Sequence, residues 1–323
     1  MIIPTYWAEA KITGIINGRK ATIKRFGWSD NSEQDAARNA QQRANEALEN
    51  AKSGGNLRRI DHKVAYNGGE GLPIREEIVA RHGDTIITRN SYGALCLNTP
   101  DILFADIDYD IEPHFNLSLI VFAVLLILFG GIAIAFNSNV TFYIGAFVSL
   151  IFSNTVAKII IRSKYKLKGG FESIVMAAVK HYTEEHPDSN FRLYKTPRGY
   201  RVLAMHAPFD PSSNEPFDLL NAWNSDKLYV QMCKNQQCFR ARVSPKPWRI
   251  GVSSLPRPKI WPIDSDKLSD RENWVKQYNE ASKRFASCKF ITEIGSRRVD
   301  TKADSVRRLH DEYSNATSNL PLA

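Results

Sequence analysis

The stretch "DILFADIDYD" (residues 101–110) carries three aspartates at alternate positions and stands shortly before a long apolar run. In an extended strand, side chains two residues apart point to the same face. Asp106, Asp108 and Asp110 therefore share one face, whereas the apolar residues between them share the other. The sequence thus predicts a strand that buries one face in a core and presents carboxylates on the opposite face.

The three carboxylates allow two interpretations. Negative charges this close repel one another unless a cation lies among them. Mg²⁺ or Mn²⁺ is the natural candidate, because hard cations bind carboxylate oxygens and bridge to substrate phosphates. On this interpretation Asp106, Asp108 and Asp110 are metal ligands. The alternative is a solvated strand end whose aspartates bind no metal.

Two long apolar runs follow the aspartates. Residues 117–136 contain no charged residue, and residues 140–161 contain only Lys158, close to the end of the run. About 20 apolar residues suffice to cross a bilayer as a helix, and the three residues between the runs permit only a tight antiparallel connection. We therefore expect a transmembrane helical hairpin over residues 116–161, with the lipid bilayer as its partner.

The orientation of this hairpin follows from the basic residues around it. The segment "RSKYKLK" (residues 162–168) carries four basic residues, whereas the loop between the two runs carries none. The positive-inside rule then places both termini in the cytoplasm, and we expect the protein in the bacterial inner (cytoplasmic) membrane. Two helices with one interior polar residue, Asn154, make a poor transporter, so we interpret the hairpin as an anchor.

The soluble residues on the two sides of the hairpin predict one α+β domain. In residues 1–115 we expect a β-hairpin around Asn17-Gly18, helices over residues 32–51 and 74–83, and then short strands. Residues 162–296 complete the domain: with the anchor removed, "ILFADID", "FESIVMAAVKHY", "FRLYKT" and "YRVLAMH" form a continuous βαββ order. This order favours a mostly antiparallel sheet. Residues 297–323 are expected to form a polar, peripheral tail.

A second constellation is basic. The formal net charge of +9 favours an anionic partner. The basic residues lie in the strand "CFRARVSPKPWR" and the hairpin "RLYKTPRGYR", interleaved with tyrosine and tryptophan. Arginine forks bind phosphate and aromatic rings stack on bases, which suits a nucleotide or nucleic acid. The same face would alternatively stay solvated or meet anionic lipid. The candidates for phosphate binding are Arg198, Arg201, His206, Arg240, Arg242, Lys246 and Arg249.

The segments "LFADIDYD", a helix and "YKTPRGYRVLAMH" together resemble the core of the archaeo-eukaryotic primase, or primase-polymerase, superfamily. Through "GLPIREE", "TRNSYG", "LNTP" and "CFRARVSPKPWR", the chain also looks like a group of bacterial transmembrane-hairpin proteins. The primase resemblance implies an RRM-like catalytic sheet. It also implies that Asp106 and Asp108 hold a divalent metal, and that Arg201 or His206 contacts the triphosphate of a nucleotide.

Two functions remain open on the sequence. The first is a membrane-anchored cytoplasmic domain that binds nucleotide or nucleic acid and performs Mg²⁺- or Mn²⁺-dependent nucleotidyl or phosphoryl transfer. In that enzyme Asp106 and Asp108 would be the catalytic residues and would hold the metal. The phosphate charge would be neutralised by Arg201, Arg240 and Arg242. The second is a scaffold or sensor without catalysis, whose basic face binds anionic lipid, nucleic acid or a protein partner.

Overall fold

The computed structural model describes residues 3–61, 72–109 and 112–323, so Asp110 lies outside the described residues. Ten strands and eight α-helices occur in these ranges, and one short 3₁₀ turn covers Pro247–Arg249. The strands are β1 (Tyr6–Ile16), β2 (Arg19–Ser29), β3 (Glu77–His82), β4 (Thr85–Arg89), β5 (Leu95–Thr99), β6 (Phe104–Asp108), β7 (Asn190–Thr196), β8 (Gly199–Ala204), β9 (Phe239–Arg242) and β10 (Lys289–Gly295). The helices are α1 (Glu33–Lys52), α2 (Phe115–Ala135), α3 (Asn139–Leu167), α4 (Phe171–Glu185), α5 (Glu215–Ala222), α6 (Lys227–Gln236), α7 (Ser265–Ser282) and α8 (Thr301–Ser314).

The N-terminal hairpin and helix confirm the sequence prediction. Asn17 and Gly18 both have positive φ and connect β1 to β2 as a two-residue turn. The side chain of Ser32 caps α1 by accepting a hydrogen bond from the backbone N–H of Asp35. Gly27 lets this helix lie directly on the hairpin, because a Cβ atom there would stand 2.1 Å from the backbone nitrogen of Ala40.

The predicted helix over residues 74–83 is wrong. Glu77–His82 instead forms β3, which pairs antiparallel with β4 through a turn at Gly83, where φ is +61°. Glu77 lies beside Arg89 in the register and accepts hydrogen bonds from Arg271 of α7. Residues that favour a helix locally therefore adopt a strand here, because pairing with partners distant in sequence overrides local propensity.

Two four-stranded sheets carry the main core. Their strand orders are β10-β7-β8-β6 and β3-β4-β5-β9, and every pairing in them is antiparallel. Each sheet combines strands from both sides of residues 116–161, and β6, α4, β7 and β8 follow in the expected βαββ order. The chain is therefore an α+β protein with antiparallel sheets. Buried side chains of both sheets, together with α4, α5, α6 and α8, form one core cluster.

The helices α2 and α3 are long and apolar enough to cross a membrane. In the most apolar 18-residue stretch of each helix, only 11% and 22% of the stretch is buried. The two helices are therefore not core helices of the domain that contains the sheets. Where they meet, α3 presents small residues: Gly145, Ser149, Ser153 and Ala157 are its buried positions. This spacing permits close packing of the two helices. The second helix runs to Leu167, six residues past the predicted end of the apolar run.

The expected peripheral tail is wrong. Residues 301–314 form α8, which buries Ala303 and Val306 in the main core. The chain end is also fixed, since Leu322 bridges to Ala286 and Ala323 is buried. The polar composition of this segment misled the prediction, because α8 buries one stripe that includes His310 and Asp311.

Replacing Val306 with Ala tests whether α8 belongs to the core. Val306 is 2% exposed, whereas Val299, just before the helix, is 49% exposed and provides the control. We expect V306A to cost about 2 kcal/mol from lost burial and the cavity left behind. The thermal unfolding midpoint should then fall by roughly 4–8 °C. The measurement is a thermal melt of the detergent-solubilised full chain, and equal midpoints for V306A and V299A would contradict the assignment.

Candidate functional site

A buried ion pair forms the floor of a cavity between the two sheets. Arg201 of β8 donates from Nε to Oδ1 of Asp106 at 2.7 Å and from Nη2 to Oδ2 at 3.1 Å. The two residues stand opposite each other in the β6–β8 register. Arg201 is 2% exposed, and although burial acts to lower the pKa of its guanidinium, Asp106 raises this pKa above its ordinary value. Both oxygens of Asp106 are therefore engaged by a permanent cation.

Arg201 also connects the two sheets and α8. Its Nη1 donates to the backbone carbonyl of Arg242 on β9 at 2.9 Å, and lies 3.3 Å from Nε2 of His310. Nδ1 of His310 lies 3.0 Å from a carboxylate oxygen of Asp311. Because the guanidinium only donates, the imidazole accepts at Nε2 and donates at Nδ1 to Asp311. The floor is thus held in place by hydrogen bonds from three directions.

A second ion pair balances charge beside the first. Arg240 of β9 donates from Nη2 to both carboxylate oxygens of Glu76, at 2.8 and 2.6 Å. Glu76 is 4% exposed and also accepts a hydrogen bond from the hydroxyl of Thr88 at 2.7 Å. Arg240 is therefore committed to a structural partner, as Arg201 is, and adds no net charge to the cavity.

Four further cations line the same cavity and form its basic wall: Arg198, Arg242, Lys246 and Arg249. None of the four makes an ion pair with any residue in the described ranges. Among the described residues, the side chain of Arg242 donates only to the carbonyl of Ser244, at 2.9 Å. Nη1 of Arg249 is buried and has no hydrogen-bond partner among the described residues, and such a donor is costly to leave unsatisfied. The wall therefore presents positive charge that the rest of the described structure does not balance.

The basic wall changes the titration of its own members. Burial lowers the pKa of Lys246 below its usual value, and the charges of Arg242 and Arg249 lower it further. Burial likewise lowers the pKa of Arg249, followed by the charges of Arg242 and Arg198. These cations repel one another in a partly desolvated space, so an anion bound among them would be favoured by their combined field.

Asp108 also lines this cavity, and it is not part of the Arg201–Asp106 or Arg240–Glu76 ion pair. It ends β6 directly opposite Gly199, and Gly199 has no room for a side chain, because a Cβ atom would stand 2.0 Å from the carbonyl oxygen of Ile107. The turn residue Arg198 is thereby held close to Asp108. Burial raises the pKa of Asp108 above its ordinary value, and the neighbouring carboxylate of Asp106 raises it further.

Aromatic residues border the basic wall. The rings of Tyr92 and Trp248 pack edge to face at 5.4 Å, and the ammonium group of Lys246 lies 5.9 and 5.5 Å from their centroids. Trp248 is 56% exposed. The loop that carries Tyr92 is fixed by Asn90, whose Oδ1 accepts the backbone N–H groups of Tyr92, Gly93 and Ala94.

The cavity has a volume of about 290 Å³ and collects most of the predicted site residues. Asp106, Asp108 and six of the seven phosphate-binding candidates line it. Sequence reasoning missed Glu76, Asn90 and Tyr92. In the sequence, the motifs "GLPIREE" and "TRNSYG" carry only a resemblance, and the local pattern around Glu76 predicts a helix. A requirement that the buried Arg240 find a carboxylate would have pointed to an acidic residue nearby.

His206 does not belong to this site. Its Nδ1 lies 3.1 Å from the carbonyl oxygen of Asn190, and its ring packs against Phe191 and Phe209. The residue follows the end of β8 opposite to the turn that carries Arg198, so it lies at the far end of the strand from Asp108. Burial lowers the pKa of its imidazole, which favours the neutral ring. The prediction of a phosphate contact at His206 is therefore not supported by its position.

The carboxylates do not form a ready-made metal site. No group of three or more His, Cys, Asp or Glu side chains within the described ranges could hold a metal ion. Asp106 is occupied by Arg201, and the basic wall repels a free divalent cation. The predicted Mg²⁺ or Mn²⁺ site stays a prediction, because Asp110 lies outside the described residues.

Comparison of the chain with known proteins adds no functional assignment. No family model matches it, and neither does any curated protein or solved structure. The residues of the cavity and their contacts therefore carry the functional proposal.

The Arg201–Asp106 pair yields a test with a matched control. D106N and D108N make the same change two residues apart on one strand face. We expect D106N to lower the free energy of unfolding by about 3 kcal/mol, because it leaves a buried arginine without its counter-charge. Ionisation of Asp108, whose pKa is raised in the folded state, costs stability as pH rises above the ordinary aspartate pKa, so D108N should be neutral or stabilising at pH 7.

Chemical denaturation of the solubilised full chain measures both variants. The double variant D106L/R201M, which replaces the pair with apolar side chains, should be more stable than D106L alone. Equal losses for D106N and D108N would contradict the structural role that the geometry gives to Asp106.

Proposed function

We propose that the protein is a membrane-anchored, cytoplasmic nucleotide- or nucleic-acid-binding domain, and that the ligand phosphates occupy the cavity between the two sheets. One observation carries the proposal. Four cations without a carboxylate partner among the described residues converge on a cavity whose other two arginines are already neutralised. Arginine forks bind phosphate oxygens with two parallel hydrogen bonds, and the buried, unpartnered Nη1 of Arg249 supplies one such donor.

The aromatic border favours a nucleotide over a simple phosphate. Trp248 is exposed beside Lys246, and Tyr92 contacts both of them. A base leaving the cavity would meet these ring faces, and base–aromatic stacking contributes roughly 1–3 kcal/mol per base. A cavity of about 290 Å³ accepts the phosphates and leaves the base at its mouth. The ligand class that fits is therefore a nucleoside polyphosphate or a phosphorylated end of a nucleic acid.

The two apolar helices support the proposed membrane anchorage of this domain. Both have the length and composition to span a bilayer, and their apolar side chains, such as Ile127, Phe147 and Leu150, are exposed. The basic residues at 162–168 follow the second helix, so the positive-inside rule favours cytoplasmic termini and a bacterial inner membrane. The described cytoplasmic sheets contain strands from both sides of the anchor, which supports one domain with an inserted hairpin.

Metal-dependent nucleotidyl transfer is a second, finer proposal, and one observation favours it. Asp108 makes no ion pair with a described residue, and it lies in the same cavity as the basic wall. The "TPRG" turn that carries the primase-polymerase resemblance pairs with Asp108 through Gly199. Asp108 would be the residue that holds a divalent ion, which would supply Lewis-acid chemistry when bound. In this proposal the chain's own residues bind and orient the phosphates. The proposal also includes an RRM-like fold for the sheet β10-β7-β8-β6.

The scaffold alternative uses the same basic residues differently. A surface that meets lipid or a protein would present its cations outward, whereas Arg240 here turns into the cavity to meet Glu76. Arg242 and Arg249 are half-buried in the same concavity. A concave basic site suits a small phosphorylated ligand, so we favour ligand binding over a docking role for this face.

Neutralising the basic wall should weaken ligand binding. In R242Q/R249Q we expect the affinity for ATP, measured by calorimetry in EDTA, to fall by about tenfold or more per arginine, because each change removes a charge-assisted hydrogen bond. The control R284Q/R297Q removes the same charge at two exposed positions outside the cavity and should change the affinity less than about twofold.

The choice of ligands tests the base contact in the same experiment. ATP should bind several-fold more tightly than tripolyphosphate, because only ATP offers a ring to Trp248 and Tyr92, and adenosine without phosphate should not bind measurably. Equal losses in both double variants would leave only general charge attraction and would contradict the proposed site. Absence of ATP binding by the wild type would favour the scaffold.

Asp108 separates anion binding from metal-assisted binding. Without divalent cations, D108N should bind ATP more tightly than the wild type, because it removes a negative charge opposite the basic wall. If Asp108 ligates a metal with the nucleotide, Mn²⁺ should raise the affinity of the wild type but not that of D108N. The measurement is calorimetry with ATP in EDTA and in Mn²⁺. Equal responses of both proteins to Mn²⁺ would refute the transferase proposal and leave anion binding intact.

A further inference from the structure

A second basic cavity lies where the anchor meets the soluble domain. It is bordered by Arg162, Tyr165 and Lys166 of α3, by Tyr109 after β6 and by Phe171 of α4, and it has a volume of about 520 Å³. It is lined by a different set of residues from those of the nucleotide cavity. From these contacts and the placement of the cavity, we propose that it binds the headgroup of an anionic phospholipid. The proposal rests on the membrane anchorage proposed above.

The depth of the cavity matches the headgroup layer. The apolar run of residues 140–161 is about 33 Å long as a helix, close to the ~30 Å hydrocarbon thickness of a bilayer. Arg162 is the next residue, and α3 continues without a break to Leu167. Residues 162–167 therefore extend into the zone where lipid phosphates lie. The placement selects a lipid phosphate over one from solution.

The charges of the cavity are available for a ligand. Arg162 and Lys166 are four residues apart on one helix face, both are exposed, and neither makes an ion pair with a described residue. The preceding basic residue of the helix, Lys158, is already paired with Glu112 at 2.8 Å. An anion entering from the membrane surface would therefore meet two unneutralised cations one helical turn apart.

The opposite wall of the cavity is aromatic and fixed. Phe171 packs against Tyr109 at 4.5 Å and against Tyr165 at 5.3 Å between ring centroids. The N–H of Gly170 donates to the carbonyl of Tyr165 at 2.9 Å, and Gly169 and Gly170 both have positive φ, which closes the turn into α4. Tyrosine is suited to this depth, since its ring is apolar and its hydroxyl is polar. The cavity thus combines cations for a phosphate with an apolar wall for the glycerol backbone.

The same helix provides a matched control. Lys164 and Lys168 border a different depression of α3, together with Ile160 and Leu167. The variants R162Q/K166Q and K164Q/K168Q therefore remove equal charge from two sets of positions that are offset by two residues and lie on different faces of the helix. General attraction to an anionic membrane would weaken equally in both variants, whereas a built site would weaken only in the first.

The test uses the full chain in nanodiscs of phosphatidylcholine with a minor fraction of phosphatidylglycerol. Native mass spectrometry measures the phosphatidylglycerol retained by the released protein, and insertion into the nanodisc reports anchorage separately. We expect R162Q/K166Q to lose affinity for phosphatidylglycerol by about tenfold and K164Q/K168Q by less than about twofold. Millimolar inorganic phosphate should not displace the lipid.

Three results would overturn this proposal: equal losses in both variants, no preference of the wild type for phosphatidylglycerol over phosphatidylcholine, or displacement by inorganic phosphate. None of them bears on the nucleotide cavity, because ATP affinity is measured separately with the Arg242 and Arg249 variants. Failure to enter nanodiscs at all would overturn the anchorage and this inference together, and it would leave nucleotide binding untouched.

Discussion

The buried Arg201–Asp106 pair is the interaction on which the rest of the described structure depends. A guanidinium that is 2% exposed is tolerated only when its hydrogen bonds and its charge are satisfied. Asp106 supplies the charge and accepts two hydrogen bonds, and the Arg242 carbonyl and His310 take two further donors. These partners belong to β6, β9 and α8. One side chain therefore sets how the two sheets and the C-terminal helix meet.

The electrostatic character of the cavity follows from this constraint. Arg201 and Arg240 use two of the three carboxylates that line the cavity, and both pairs are bidentate or nearly so. Of the carboxylates in the described residues that line the cavity, Asp108 alone then opposes the basic wall. A site built this way attracts anions although it contains several acidic residues, so a tally of charges from the sequence would understate its preference. Its selectivity depends on which charges are already paired, and pairing is a property of the fold.

Much of the fold could be predicted from the sequence where the signal is local. The Asn17-Gly18 turn, the capped α1, the apolar helices and the β7–β8 hairpin all depend on residues close in the chain. The membership of the basic cluster was also predictable, because alternation in β9 and the tight turn at Arg198 place these side chains.

The predictions of a helix at 74–83 and of a peripheral tail failed for the same reason. In both segments distant partners, β4 for β3 and the core for α8, decide the structure. The pairing of Asp106 with Arg201 could not be predicted either. The same sequence pattern is expected whether the aspartate pairs with an arginine on the neighbouring strand or binds a metal.

The two apolar helices lie close in the chain to the residues of the cavity. Asp108 ends β6 and Phe115 begins α2, so few residues separate the cavity from the first of these helices. The return path is equally short, because α3 leads through the glycine turn into α4, whose Phe171 packs against Tyr109 and Tyr200. The backbone N–H of Tyr109 donates to the carbonyl of Arg198, a member of the basic wall, at 2.8 Å. The end of α3 is therefore connected to the basic wall through one aromatic cluster and one hydrogen bond. Because the two apolar helices are inserted after β6, the flanking residues Tyr109 and Phe171 pack on each other beside this wall.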